Sequence, residues 1–414
     1  MDDPDGIFAN VAQYIELLRT NASSPNEKER VAKQLLELTE TRKEARTAIG
    51  THSQAIPLLV SLVRTGTLTT KMRAAAILGA LCKEEDLRVK VLLGGCIPPL
   101  LALLKTSSSD AQLSAAQTIL AVSQGVTDQV GCKIFATEGV VPKLWEQLQP
   151  SQQLDASAEG LLTGALQNLC GSTEGFWHAT LEAGAIPILV RLLYHGGSTS
   201  QANASSLLAS LMMATPSTSK IVLSSGVIEP LLGLVGSGND LSVRAEAAGA
   251  LKALSFTSIE ARQILSDSGA ISILISAVVA PSKEFMQGRY AQELQENAMG
   301  ALANIFCGMS TVILTIGENI KSSKPDSHMA DIIGALAYAL MVFDDREKVG
   351  EIVDASMIER VLVKQLSSRV PELVQERAIE ALASLYGNAA LQKTLTHAEA
   401  KKMLVGLVTM ANTD

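Results

Sequence analysis

The residue types that most often catalyse reactions or bind metals are few in this sequence, and none is spaced for that chemistry. The five histidines are His52, His178, His195, His328 and His397, which lie far apart. The five cysteines, which lack C-x-x-C spacing, are Cys82, Cys96, Cys132, Cys170 and Cys307. Phosphate-binding glycine loops and the H-E-x-x-H and G-x-S-x-G motifs do not occur. The sequence therefore predicts a non-enzymatic protein without cofactor or metal, with free thiols in a reducing compartment.

A second kind of chemistry, the capture of a partner segment, uses amide, hydroxyl and cationic side chains placed at regular intervals. The residues of these types that we assign to a protein-binding groove are Arg73, Gln117, Asn168, Ser206, Asn304 and Arg377. A further candidate group, in an insertion loop, consists of Lys283, Phe285, Arg289 and Tyr290. Both assignments depend on the repeated elements that would position these side chains.

Those elements follow from a motif that recurs every forty-odd residues. A glycine followed by a short apolar run begins at Gly95, Gly139, Gly184, Gly226 and Gly269, so the intervals are 44, 45, 42 and 43 residues. A repeat of this length is typical of a helical solenoid of the armadillo or HEAT type. Solenoids of this kind generally bind extended partners.

Each repeat carries signals for three helices. The first helix ends at the glycine, which forms a left-handed cap without steric cost. The second begins with a proline that we place at the first helical position, where its missing N–H had no partner; these prolines are Pro57, Pro98, Pro142 and Pro187. The third helix ends near an apolar residue: Leu38, Leu81, Val122, Leu169, Leu211, Leu254, Ile305, Leu340 or Leu385. The predicted fold is all-α, a right-handed armadillo-repeat α-solenoid (superhelix) of about eight to nine three-helix units.

Irregularities divide the predicted array into three parts. Residues 1–50 form an irregular N-terminal capping repeat, residues 51–317 form regular repeats, and residues 318–414 form further irregular repeats. An insertion at 280–290 lengthens one regular repeat, and such insertions often lie on the binding face. The last apolar segment, residues 401–410, has the pattern of a second helix with no third helix to cover it. We therefore expect the chain to be the N-terminal part of a longer array.

Composition restricts the partners and the compartment. The chain is 47% hydrophobic but only 3% aromatic, which suits closely packed helices. Its net charge of -8 disfavours nucleic-acid binding, because phosphate contacts need a basic surface. The acidic N-terminus is unlike a signal peptide, and the apolar runs are too short to span a bilayer. These features predict a cytoplasmic protein.

The third helices line the concave groove of armadillo arrays, so their side chains discriminate between partner classes. In nuclear-import receptors, each of these helices carries a tryptophan and, four residues later, an asparagine, and together they clamp a basic peptide. Here only Asn168 and Asn304 occupy asparagine positions, and no tryptophan occupies its position. The pattern argues against an import adaptor. For both amides we favour hydrogen bonds to the neighbouring backbone over peptide capture.

Several segments resemble the plant cellulose-synthase-interactive proteins, a family of very long armadillo proteins that end in a C2 domain. The matching segments are residues 89–101 (VKVLLGGCIPPLL), 133–142 (KIFATEGVVP), 280–288 (APSKEFMQG) and 374–388 (VQERAIEALASLYGN), with the opening MDDPDG. The resemblance covers essentially the whole chain. It implies a scaffold that links cellulose synthase complexes in the plasma membrane to cortical microtubules and so guides cellulose deposition.

The resemblance also implies partners and a location. The partners would be cellulose synthase catalytic subunits and cortical microtubules, without nucleic acid and with only indirect membrane contact in this stretch. Because tubulin's surface is acidic, the net charge of -8 favours microtubule binding through other repeats. The implied location is the cytoplasmic face of the plasma membrane and the cortical cytoskeleton. An alternative is an armadillo adaptor of a plant ubiquitin ligase or of a transport system; the absence of a U-box before the repeats disfavours the ligase.

Overall fold

The chain folds into packed α-helices that form two compact units. The computed structural model describes residues 4–20, 24–124, 129–236, 238–279 and 289–306, together with residue 378, and no strand occurs within them. The two units are Met1–Ala214 and Thr215–Asp414. The expectation of an all-α fold is confirmed.

The first unit begins with two helices and continues with four three-helix repeats. Its helices are α1 (Pro4–Arg19), α2 (Pro25–Thr41), α3 (Lys43–Thr51), α4 (Ala55–Thr65), α5 (Leu68–Leu81), α6 (Glu85–Leu93), α7 (Ile97–Leu104), α8 (Ser109–Ser123), α9 (Gln129–Thr137), α10 (Val140–Gln147), α11 (Ala156–Cys170), α12 (Glu174–Glu182), α13 (Ala185–His195) and α14 (Ser198–Ala214). A short 3-10 turn at Pro150–Gln152 separates α10 from α11. The first complete repeat starts with α3, so the predicted boundary between residues 50 and 51 falls inside that helix. The three-part division itself stays a prediction.

The described part of the second unit contains two further repeats. Its helices are α15 (Ser219–Ser224), α16 (Ile228–Val235), α17 (Leu241–Thr257), α18 (Ile259–Asp267), α19 (Ala270–Val279) and α20 (Arg289–Phe306). A 3-10 turn at Pro216–Thr218 precedes α15. The third helices predicted to end near Leu340 and Leu385 lie outside the described residues.

The glycine signals are confirmed, whereas the proline position was wrong. Gly95, Gly139, Gly184, Gly226 and Gly269 all have positive φ, between 58° and 80°. The prolines of the second helices do not stand at the first helical position. Pro98 is the second residue of α7, and Pro57, Pro142 and Pro187 are the third residues of their helices. The helices tolerate them there because no N–H of the first turn has an intrahelical acceptor.

The apolar residues predicted to end the third helices lie in the core. Six of them are completely buried: Leu81, Val122, Leu169, Leu211, Leu254 and Ile305. Leu38, on the two-helix start of the first unit, is only half-buried. Burial of one such residue in each repeat, together with the leucines of the second helix, gives every repeat apolar faces that its neighbours cover.

Only pairs of helices, not single helices, reach the length and apolar composition of a membrane span among the described residues. In the described ranges, no single helix has both the length and the apolar composition to cross a membrane. Three helix pairs meet these two criteria only together, and they are bent by 81°, 82° and 90°.

A long polar side chain near the start of the third helix caps the end of the second helix in several repeats. Gln201 Nε2 donates to the Leu193 carbonyl over 3.2 Å, and Arg244 Nε donates to the Val235 carbonyl over 3.0 Å. These carbonyls lack intrahelical partners, so the side chains satisfy groups that are otherwise costly to bury. The equivalent side chain in the α9–α11 repeat is Glu159, which cannot donate. There, Arg191 from the next repeat donates to the Leu148 carbonyl (2.9 Å) and to Glu159 Oε1 (2.7 Å).

Because Arg191 takes the place of a capping side chain from the same repeat, the stability lost on removing Arg191 should return when that side chain is supplied. Arg191→Leu leaves the Leu148 carbonyl and the Glu159 carboxylate without a donor, and we expect a loss of about 1–3 kcal/mol in the free energy of unfolding. Adding Glu159→Gln places an amide where Gln201 stands one repeat later and should restore most of that loss. Urea denaturation followed by circular dichroism measures both effects. A double variant no more stable than Arg191→Leu would contradict the assigned cap.

The position of the core can be tested on a single helix. Leu101 on α7 is 7% exposed, whereas its neighbour Ala102 is exposed. Leu101→Asp puts an unpaired charge into the packed interface and should destabilise its repeat by several kcal/mol. Ala102→Asp, the matched control, should shift the thermal midpoint only slightly. Equal melting curves for the two variants would show that α7 does not pack through Leu101.

Candidate protein-binding surface

The third helices pack side by side within each unit. In the first unit, α2 contacts α5, α5 contacts α8, α8 contacts α11, and α11 contacts α14; in the second unit, α17 contacts α20. We call the half-exposed face of these helices the third-helix surface. The candidates Arg73, Gln117, Asn168 and Ser206 lie on it in the first unit, and Asn304 lies on it in the second. Arg377 lies outside the described residues.

One hydrogen bond recurs between successive third helices. The donor stands eight residues before the buried apolar residue that ends its helix, and the acceptor is a carbonyl nine residues before the corresponding residue of the preceding helix. The four examples are Arg73 Nη1 to Glu29 O (2.5 Å), Ser114 Oγ to Met72 O (2.8 Å), Asn203 Nδ2 to Gly160 O (3.0 Å) and Asn297 Nδ2 to Ala245 O (3.2 Å). We call this contact the repeat cross-link. It fixes how far one repeat is shifted along the next.

The two asparagine donors pass over small residues of the preceding third helix. Where the donor is asparagine, the preceding third helix has a glycine one turn further on. A Cβ added at Gly164 would lie 3.3 Å from Asn203 Nδ2, and one added at Gly249 would lie 3.1 Å from Asn297 Nδ2. The shorter donor Ser114 follows a helix with Ala76 at that position. Glycine is therefore needed for the close approach of the amide.

The two asparagines singled out from the sequence are held by the preceding repeat. Asn168 Nδ2 donates to Ser123 Oγ (3.1 Å), and Asn304 Nδ2 donates to Ser255 Oγ and to the Lys252 carbonyl (both 3.2 Å). The expected backbone bond is thus present for Asn304, whereas Asn168 uses a serine hydroxyl. Within the described part of the chain, no donor reaches either amide oxygen. Both oxygens can therefore accept hydrogen bonds from a partner's N–H groups.

Of the three remaining candidates, Ser206 and Arg73 are hydrogen-bonded to a neighbouring repeat, and Gln117 is free within the described ranges. Ser206 Oγ accepts a hydrogen bond from Gln167 Nε2 over 2.7 Å. Gln117 is exposed and has no hydrogen-bond partner among the described residues. Arg73, half-buried, uses one of its five donors in the repeat cross-link.

The insertion residues are only partly described. Lys283 and Phe285 lie outside the described residues. Arg289 and Tyr290, which the sequence analysis assigned to a loop, lie in the first turn of α20, so that assignment was wrong. In this turn Arg289 Nε pairs with Glu293 Oε1, four residues later, over 2.7 Å. Both residues are exposed.

The middle of the third-helix surface carries almost no charge. The only charged residues of α8, α11 and α14 are Asp110 and Glu159, and Glu159 is paired with Arg191. Charged residues concentrate instead on α2 and α5 at the N-terminal end of the unit. A partner that lies across α8, α11 and α14 would therefore be held by amide and hydroxyl hydrogen bonds and by apolar contacts, with little contribution from ion pairs.

Three of the cysteines in the described part of the chain, Cys82, Cys96 and Cys170, lack the features of reactive thiols. Cys82, Cys96 and Cys170 are buried, and Cys132 is half-buried. Burial raises the pKa of Cys82 to about 12 and that of Cys170 to about 11, and it also raises the pKa of Cys96. These three thiols remain protonated at neutral pH. Among the described residues, no three His, Cys, Asp or Glu side chains converge to hold a metal ion.

Three of the four donors of the repeat cross-link were not predicted from the sequence. Arg73 was among the candidates, whereas Ser114, Asn203 and Asn297 were not. Their signal was present: a hydrogen-bond donor stands at one fixed position of four third helices. It could have been found by aligning every position of the repeat.

The packing of three-helix repeats defines an armadillo solenoid, and the comparisons with known proteins agree. Residues 15–275 match the family model described as the plant U-box protein ARM repeat region. The chain belongs to this armadillo-repeat family.

Within that class, the similar proteins are more specific. The chain is 49% identical to Protein CELLULOSE SYNTHASE INTERACTIVE 3 of Arabidopsis thaliana over 100% of its own length, and 43% identical to Protein CELLULOSE SYNTHASE INTERACTIVE 2 of the same plant over 99%. It spans 20% of the length of each of these relatives. The resemblance to the cellulose-synthase-interactive family is confirmed.

Solved structures support the fold alone. An engineered protein superposes with a TM-score of 0.67 at 24% identity, covering 97% of this chain and 94% of that protein. A designed armadillo repeat protein superposes with a TM-score of 0.52 at 20% identity, covering 59% of this chain and 99% of that protein. Both likenesses support the armadillo α-solenoid predicted from the repeats.

The match between Gly164 and Asn203 predicts that substitutions at these two positions are coupled. In the parent, Gly164→Ala crowds the Asn203 amide and should lower the free energy of unfolding or leave it unchanged. In an Asn203→Ala background only the contact with Leu120 Cδ1, also at 3.3 Å, remains, and the same change should cost less or stabilise α11 by up to about 1 kcal/mol through helix propensity. A double-mutant cycle in urea measures the coupling, expected at about 1 kcal/mol. Additive effects would contradict the contact.

Proposed function

We propose that this chain is a non-enzymatic armadillo scaffold that binds the cytosolic part of cellulose synthase catalytic subunits through its third-helix surface. The observation that carries the proposal is the identity of 49% and 43%, over essentially the whole chain, to two proteins named as cellulose synthase interactive. The armadillo fold supports a scaffold or adaptor role, because such arrays present extended surfaces to protein partners.

The proposed mode of binding follows from the surface chemistry. The amide oxygen of Asn168 is oriented by Ser123 and can accept from a partner backbone, and Gln117 is free to donate and accept. The small side chains around them let a partner segment approach the helices closely. Because α8, α11 and α14 are nearly uncharged, this binding should depend little on ionic strength.

The larger role proposed for the protein is a link between cellulose synthase complexes at the plasma membrane and cortical microtubules, which would guide cellulose deposition. This role is what the family resemblance implies, and the chain spans only 20% of its relatives. We assign the synthase contact to these repeats and microtubule binding to other repeats. Location at the cytoplasmic face of the plasma membrane, with indirect membrane contact, is part of the same proposal.

A pull-down with the cytosolic catalytic domain of cellulose synthase tests the proposed contact. Gln117→Arg places a charge in the middle of the neutral surface and should weaken binding about tenfold, which corresponds to about 1.4 kcal/mol. Gln149→Arg, at an exposed position outside the third helices, is the matched control and should bind like the parent. Binding in the parent should persist from low to high salt. Equal binding by both variants, or loss of parental binding with moderate salt, would contradict the proposal.

Co-sedimentation with stabilised microtubules tests the assignment of the second partner. We expect the chain to remain in the supernatant at physiological salt while it still binds the synthase domain. Salt-sensitive pelleting would instead place a cytoskeletal contact in these repeats.

A second candidate is a substrate-recognition module of a plant ubiquitin ligase. The name of the matching family model, which refers to plant U-box proteins, favours it. That family model covers the armadillo region alone, so the match gives no evidence for ligase activity. Failure of the synthase domain to bind, with a correctly folded chain, would make this the better candidate.

A further inference from the structure

A cleft lies away from the third helices and is not used by the proposed function. It lies between α9 and α12, the first helices of two consecutive repeats, and the N-terminal turn of α10 forms its floor. Its volume is about 470 Å³, within the usual range for ligand sites, about 300–1,000 Å³. The walls are mainly apolar and include Phe135, Val140, Val141 and Phe176.

The cleft exists because one first helix has unusually small residues. Gly175 and Ala179 of α12 both line it. In the preceding first helix, α9, the equivalent positions hold Val130 and Ile134, counted back from the glycine that follows each helix. Side chains of that size on α12 would fill the space between the two helices. The opening is therefore encoded in the sequence of this repeat.

The electrostatics of the cleft favour a negative group beside the apolar one. Lys133 is exposed, is the only charged side chain of the lining, and forms no ion pair with the described residues. The N-terminus of α10, whose cap residue Gly139 makes no side-chain capping bond, also borders the cleft, whereas the first turn of α12 already carries the acidic Glu174. Uncapped helix N-termini attract anions. Glu174 adjoins the lining in sequence, but its carboxylate is not among the groups that line the cleft.

We propose that this cleft is a second docking site, which takes a short protein segment with a bulky apolar side chain next to an aspartate or glutamate. The apolar side chain (Phe, Leu or Met) fills the space above Val140 and Val141, and the carboxylate lies at Lys133. The site is separate from the third-helix surface, so the first unit can hold two partner segments at once. The proposal does not depend on the partner assigned to the third-helix surface.

Selection from a displayed library of random twelve-residue peptides, with the whole chain as bait, tests the preference. The recovered peptides are then synthesised with blocked ends, and their affinity is measured by fluorescence anisotropy. We expect sequences that pair an acidic residue with a bulky apolar one. Recovery of no binder, or of binders without this pairing, would overturn the proposal.

Two variants then locate the binding. Ala179→Ile introduces the residue that α9 carries at the same position and should reduce affinity at least tenfold while leaving the thermal midpoint near that of the parent. Lys133→Glu changes an exposed position without altering the packing. It should weaken the binding of acidic peptides by a similar factor. Gln117→Arg, on the third-helix surface, should have no effect. Peptides that bind Ala179→Ile or Lys133→Glu as tightly as the parent would overturn the proposal.

Discussion

The close approach of successive third helices is the constraint on which the rest of the structure depends. In four of these helices, a side chain at one fixed position reaches a backbone carbonyl of the preceding third helix. In the repeat cross-links made by Asn203 and Asn297, the donor amide passes over a glycine of the facing helix, where an added Cβ would lie 3.3 Å and 3.1 Å from it. A larger residue there would crowd the amide. At these contacts the packing therefore needs both a small side chain on one third helix and a short polar donor on the next.

That requirement shapes what the third-helix surface can recognise. Residues small enough for the packing leave an open surface, and most donors on it are already bonded to the preceding repeat. What remains for a partner is chiefly acceptor oxygens, such as that of Asn168, and the free amide of Gln117. Such groups suit a neutral, extended segment rather than the basic peptide held by the tryptophan–asparagine pattern of import receptors. The nearly uncharged helices α8, α11 and α14 lead to the same conclusion.

The repeat and its buried positions could be predicted from the sequence, because the repeat length and the apolar period are regular. Leu81, Leu169 and Leu254 are buried as expected, and each glycine that ends a first helix has positive φ. The hydrogen bonds of the candidate residues could not be predicted in the same way. A period tells which residues share a position, but not which carbonyl a side chain reaches. The start of α20 at Arg289 was missed because residues 280–290 were assigned to an insertion loop on the repeat length alone.

The central proposal is that α8, α11 and α14, the nearly uncharged third helices of the first unit, hold a segment of cellulose synthase. Hydrogen–deuterium exchange on the chain, with and without the cytosolic catalytic domain of cellulose synthase, measures this most directly. Binding at this surface should slow exchange in α8, α11 and α14 and in the turns that follow them, with α4, α7 and α13 unchanged. Protection confined to the second helices, or no protection on the third helices in the presence of a saturating partner, would contradict the account.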